Sequence, residues 1–224
     1  MFISLFLLQT NYRLLVCNVV RVFVAVKMGR GRGRPSKGAK EALTGAARDL
    51  FMERDYDQVS IDQILERSGV SRGALYHHFP TKLDLFLAVY RESEMRVLGE
   101  VGTLAAGAST PYAGLLDAAR AYLELCETDE EFRRIGLTQS RAVLGWEGWR
   151  DAASELGIAV ALALVNAAIE AGELRPHDPE TLAQILIGTL IEAAMLIVVA
   201  EDRAEARERS ESVVIDLLEG LRAV

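Results

Sequence analysis

Cysteine, histidine and proline are all scarce in this chain, and each scarcity removes a class of function. The two cysteines in 224 residues, Cys17 and Cys126, lie far apart with neither CxxC spacing nor histidine neighbours, which argues against a disulfide framework and a structural zinc site. Cys126 falls on an apolar helical stripe and reads as a small core residue. A reduced, cytoplasmic setting suits this usage. Of the three histidines, His77 and His78 are adjacent and His177 stands alone, so no converging acid, base or metal constellation is available for an enzyme. The carboxylates Glu124, Glu127, Asp129, Glu130 and Glu131 read as solvated groups at a helix junction, favoured by the helix dipole. No catalytic residue, cofactor or metal is expected. The five prolines sit mostly at segment edges, while Ala, Leu, Glu and Arg dominate, and this composition predicts an all-α fold.

Positive charge is also scarce, with a formal net charge of −7, but it is unevenly placed. Residues 1–27 carry three basic and no acidic side chains, residues 28–91 eleven and eight, and the remainder eleven and twenty-four, giving +3, +3 and −13. A small head that can meet phosphate on an acidic body that is repelled by it fits this asymmetry, as does an ordinary solvated surface.

The first 27 residues are apolar but suit neither a signal peptide nor a membrane span. Basic residues follow the apolar stretch instead of preceding it, no small-residue cleavage pattern appears, and Arg13 and Arg21 interrupt it. A membrane anchor is the alternative to an upstream extension outside the fold, with translation starting at Met28. Residues 28–39, rich in alternating Gly and Arg, are expected to form a disordered basic arm.

From Lys40 the apolar positions Leu43, Ala46, Ala47, Leu50 and Phe51 recur at helical spacing. Ser60 with Gln63 reads as a capping box, Gly69 as a tight turn, Ser71 as the cap of a short helix ending near His77, and Thr81 with Asp84 as the next start. That fourth helix is expected to end near Val101, before a Gly- and Ala-rich stretch. Thr110-Pro111 opens another, Thr128 with Glu131 reads as a further capping box, a long helix from about Trp149 ends before Gly172, and Asp178-Pro179 starts the next. About nine helices and no strand are predicted. Residues 40–85 form the first domain and 86–224 the second.

Two short helices joined by a glycine turn can seat the second helix in the major groove of DNA, which is about 12 Å wide and admits one α-helix. Arg72 lies at the start of that helix, where a bidentate contact to guanine is chemically natural, and the small Gly73 and Ala74 permit close approach. The run Ser60, Ile61, Ile64, Ser68, Gly69, Val70, Ser71, Gly73, Leu75, Tyr76, His78, Phe79, Lys82 and Leu85 resembles the N-terminal domain of TetR-family repressors, with serine at 68 where the family usually has alanine. The resemblance implies that Ser60 and Ser71 hold phosphates, that Arg72 and Gly73 face bases, that Tyr76 and His77 reach phosphate or sugar, and that Lys82 binds phosphate. Val70, Leu75, Phe79 and Leu83 would form the small core, with His78 open between packing and DNA contact. Arg32-Gly33-Arg34-Pro35 resembles the minor-groove core of an AT-hook, the alternative being a flexible basic tail that adds nonspecific affinity.

The expected partners are thus an operator duplex, a second copy of the chain and a small, apolar effector, with no membrane. Tyr122, Trp146 and Trp149 could wall an effector pocket or simply belong to the core. Leu182, Ile185, Leu186 and Leu190 with Val214, Leu217 and Leu218 could join two subunits in a four-helix bundle or pack internally. The competing function is a helical ligand-binding or interaction dimer without sequence-specific DNA binding, or a version of it tethered to a membrane through residues 1–27.

Overall fold

A computed structural model of the protein describes residues 37–223. The expected extension at residues 1–27 and the arm arginines Arg32 and Arg34 lie outside the described residues. Among those residues the helices are α1 (Lys37–Glu53), α2 (Ile61–Ser68), α3 (Arg72–His78), α4 (Lys82–Gly107), α5 (Pro111–Thr128), a π-helical segment (Phe132–Gln139), α6 (Ser140–Glu170), α7 (Pro179–Val199) and α8 (Arg203–Glu219), with a 3-10 turn at Tyr56–Gln58. Gly145, at φ +72° and ψ 170°, breaks α6 early. The π segment therefore runs on into 140–144 as one rod, and 146–170 forms a second. This makes nine helical rods. The described residues contain no strand, only an isolated antiparallel bridge between Leu174 and Arg222.

The caps explain most of the boundaries. Ser60 Oγ accepts from the Gln63 backbone N–H at 3.2 Å while Gln63 Oε1 accepts from Ser60 N–H at 2.8 Å. Gly69 takes φ +66° to stop α2, a conformation that costs a residue with a Cβ. Ser71, Thr81, Thr110 and Asp178 cap α3, α4, α5 and α7 through their side-chain oxygens.

Four expectations need correction. Helix α1 begins at Lys37, so the end of the expected arm is helical. Helix α4 continues to Gly107 because the small residues Gly102, Ala105 and Ala106 are buried, letting it pack closely against α5. Thr128 and Glu131 form no capping box: Thr128 Oγ1 donates back to Glu124 O at 2.8 Å, and Asp129 Oδ1 accepts from Phe132 N–H at 2.8 Å instead. Leu83 is exposed at 38% and Leu85, at 0%, takes the core position, because the face of α4 that meets the head carries Leu85 and Phe86.

Helices α1 to α3 form a head around Leu43, Leu50, Ile64, Leu75 and Phe79. Arg67 clamps α2 to the end of α1 through a bidentate pair with Glu53 at 2.6 and 3.1 Å. Helix α4 runs from the head into the body, where it packs on α5, and α6, α7 and α8 complete the bundle. Helix α7 is long and apolar enough to cross a membrane; here it lies between α6 and α8.

Candidate DNA-binding head and effector cavity

On α3 the buried Leu75 points into the head, while Arg72, Gly73, Tyr76 and His77 are exposed on the opposite side. Positions i, i+1, i+4 and i+5 share one helical face, so the four side chains form a single surface, flanked by the exposed cap residues Ser60 and Ser71. A Cβ added at Gly73 would meet nothing within 4 Å. The fold therefore does not require glycine there, whereas close approach of a second molecule would. Arg72 is not idle in the free head, since its guanidinium pairs with Asp62 at the first turn of α2.

Lys82 occupies a different place from the rest. Its ammonium donates to Tyr56 O at 2.9 Å and Val59 O at 3.0 Å and sits 4.0 Å from the centre of the Tyr56 ring. Two of its three N–H groups thus hold the turn before α2 against the start of α4. One N–H remains in the inventory for a phosphate. His78 is half-buried.

The body contains an apolar cavity of about 90 Å³ between α4, α5, α6, α7 and α8. Leu98, Leu115, Leu164, Leu186, Ile187 and Leu190 line it with other aliphatic residues, and Glu94 and Tyr122 contribute its polar end. Of the three aromatic residues expected there, Tyr122 alone is on the wall. Trp149 is fully buried with its indole N–H donating to Gly136 O at 2.9 Å, and Trp146 is 45% exposed. Both tryptophans stand on the first turns after the break at Gly145, which turns them away from the cavity.

Glu94 is the residue the sequence reading missed, although a signal was present. Tyr90, Val97 and Val101 lie four before, three after and seven after it, the spacing of one buried helical face, and all are buried. Burial pushes the Glu94 carboxyl up to about 8, while the Tyr90 hydroxyl beside it acts in the opposite direction. Tyr90 and Tyr122 are raised as well, both chiefly by burial.

Between head and cavity runs the π segment. Gly136 packs under the Phe132 ring, where an added Cβ would come within 2.5 Å of Cδ2, and beside the Glu94 carboxyl, 3.5 Å from the same point. On its other side Arg134 Nε donates to Phe51 O at 2.9 Å, and Gln139 Nε2 donates to Phe51 O at 2.6 Å and Arg54 O at 3.3 Å. Phe51 lies in the last turn of α1 and Arg54 just after it, where the carbonyls at a helix end lack partners farther along the helix.

The expected subunit-contact residues divide by face. Leu182, Val214 and Leu218 are buried within the protomer, Leu186 and Leu190 are half-buried on the cavity wall, Leu217 also lines the cavity though it is 52% exposed, and Ile185 faces outward at 60% exposure. Leu196, Val199 and Val213 join Ile185 on the outside. Helix α7 is apolar almost all round, so periodicity alone could not select its outer face.

A helix-turn-helix head joined through a shared helix to a helical body is the architecture of a transcriptional regulator. Residues 43–89 match the model of the bacterial regulatory proteins of the tetR family, and residues 112–221 match that of the tetracyclin repressor-like C-terminal domain. The chain belongs to the TetR family of transcriptional regulators. It is similar to the transcriptional repressor AcnR of Corynebacterium efficiens, 30% identical over 168 residues covering 71% of this chain and 80% of that one. AcnR of Corynebacterium glutamicum is 28% identical over 191 residues, 84% of this chain and 93% of that one. Among solved structures, a TetR-family transcriptional regulator from Pectobacterium atrosepticum superimposes with a TM-score of 0.74 and 30% identity, covering 86% of this chain and 99% of that one.

Proposed function

We propose that the protein is a homodimeric repressor that reads a palindromic operator with two copies of α3 and leaves it when a small, largely apolar molecule enters the cavity. The observation that carries this reading is the exposed surface of Arg72, Gly73, Tyr76 and His77, raised on a rigid head whose fold does not itself need the glycine. Arg72 would read a base edge, Tyr76 and His77 would contact sugar or phosphate, and Ser60, Ser71 and the third N–H of Lys82 would fix the register. The outward apolar side chains on α7 and α8 support a second copy packed there, since such a patch on a free surface favours association. Two heads at a fixed spacing would then face successive major grooves.

Release would act through α4, which lines the cavity and packs on the head, and through the π segment, which lies beside the Glu94 carboxyl and bonds to the end of α1. Coupling of about 1–3 kcal/mol between the two sites corresponds to roughly 5- to 150-fold induction, and DNA must weaken the effector by the same factor. Selection from randomised duplexes at moderate salt tests the reading. An enriched inverted repeat is the expected result, and the absence of any enriched sequence overturns it in favour of a helical ligand-binding dimer without sequence-specific DNA binding.

A further inference from the structure

We propose that the cavity selects a ligand with a cationic amine head and a short aliphatic tail, the amine pairing with Glu94. This rests on the reading of the cavity as the effector site and specifies its chemistry. The walls are aliphatic, and the acidic side chain at the polar end is 5% exposed while lining the space. Among the described residues no Lys, Arg or His forms an ion pair with Glu94. A buried carboxyl without a cationic partner is costly to ionise, and the fold provides no such partner. A ligand ammonium would provide one.

The groups around Glu94 do not compete for this role. On its own helix Tyr90 lies beside it without a hydrogen bond of standard geometry. From α5, Tyr122 and Cys126 face it, and both are held neutral by burial. From the π segment the nearest element is the backbone of Gly136, while the Arg133 guanidinium turns to Glu127 O. From α6 and α7 the wall is aliphatic apart from Thr189. An anionic head would meet only a carboxyl and phenols, and a neutral head would leave the carboxyl as it stands.

Proton balance makes the proposal measurable. In the free protein at pH 7 Glu94 holds its proton, because burial sets its titration near 8. A protonated amine that binds must displace it: the carboxyl O–H bond breaks, the carboxylate accepts from the ligand ammonium, and the proton passes to buffer. Between pH 6 and 7 binding therefore releases about one proton and tightens roughly tenfold per pH unit, flattening above pH 8.

The experiment is calorimetric titration of the full chain, without DNA, with n-octylamine, n-octanol and octanoate. Two buffers of different ionisation enthalpy at each of pH 6, 7 and 8.5 give the proton count directly. We expect octylamine to bind at least tenfold more tightly than the other two at pH 8.5, with one proton released at pH 7. In Glu94→Gln, which keeps the shape and should remain folded by circular dichroism, the preference and the proton release should both disappear. Equal affinities for the three probes, or octylamine binding without proton release by the wild-type protein, overturn the proposal even if the variant misfolds. Adding operator duplex separates this from the regulatory reading: proton-releasing octylamine binding that leaves DNA affinity unchanged sinks the release mechanism alone, whereas an operator released only by neutral or anionic probes sinks the amine alone.

Discussion

The side-chain amide of Gln139 donates to the carbonyl of Phe51 at 2.6 Å, across 88 residues of sequence and across the boundary between body and head. Gln139 is 4% exposed and Phe51 is fully buried, so water cannot replace the bond. The body thus caps a helix of the head, and any shift of the π segment must break or carry this contact.

Replacing Gln139 with Met keeps the volume and removes the donor. A buried carbonyl left short of a partner costs about 1–3 kcal/mol, although Arg134 still donates to the same oxygen. Chemical denaturation should register a loss toward the lower end of that range, and operator affinity should fall because the head is less firmly held. A variant as stable as the parent would show that the contact does not tie head to body.

Arg72→Ala should weaken operator binding by about 1–3 kcal/mol and relax preference at one base pair per half-site, with the dimer intact. Asp62→Asn should act in the opposite direction, since it frees the Arg72 guanidinium and removes a negative charge near phosphate. Fluorescence anisotropy on the two single variants and the double variant forms a cycle. Most of the gain from Asp62→Asn should vanish when residue 72 is alanine; an undiminished gain would mean that the ion pair does not restrain Arg72.

Glu94 also makes stability depend on pH, with a sign opposite to that of a salt-bridged acid. Below the ordinary value of 4.5 both folded and unfolded chains hold the proton. Between 4.5 and about 8 the unfolded chain ionises while the folded one does not, so stability falls as pH rises, and above 8 the loss is complete. Glu94→Gln should therefore gain on the parent by an amount on the order of a few kcal/mol between pH 5 and pH 8.5. Urea midpoints at the two pH values check this, and parallel behaviour of parent and variant would show that the carboxyl ionises freely inside the fold.

The outward residues Ile185 and Val213, 60% and 59% exposed, test the subunit contact without disturbing the protomer core. Glutamate at both positions should yield a folded monomer in sedimentation velocity and weaken operator binding strongly, because half-sites are then bound independently. A double variant that still sediments as a dimer would move the interface elsewhere.

Local chemistry in the sequence determined most of the helices and caps and the exposed face of α3. Ser60, Gly69, Ser71, Thr81 and Asp178 act through bonds that span three or four residues, so their spacing alone carries the information. Where the outcome depended on what lies opposite, spacing was insufficient. Trp149 turned to Gly136 instead of the cavity, Leu83 gave its core place to Leu85, and the apolar circumference of α7 acquired an inside and an outside only when α6 and α8 packed on it. Glu94 shows the limit most directly. A heptad pattern can place a carboxyl on a buried face, but whether a cation meets it is decided by side chains from four other elements. That is why its chemistry belongs to the tertiary structure.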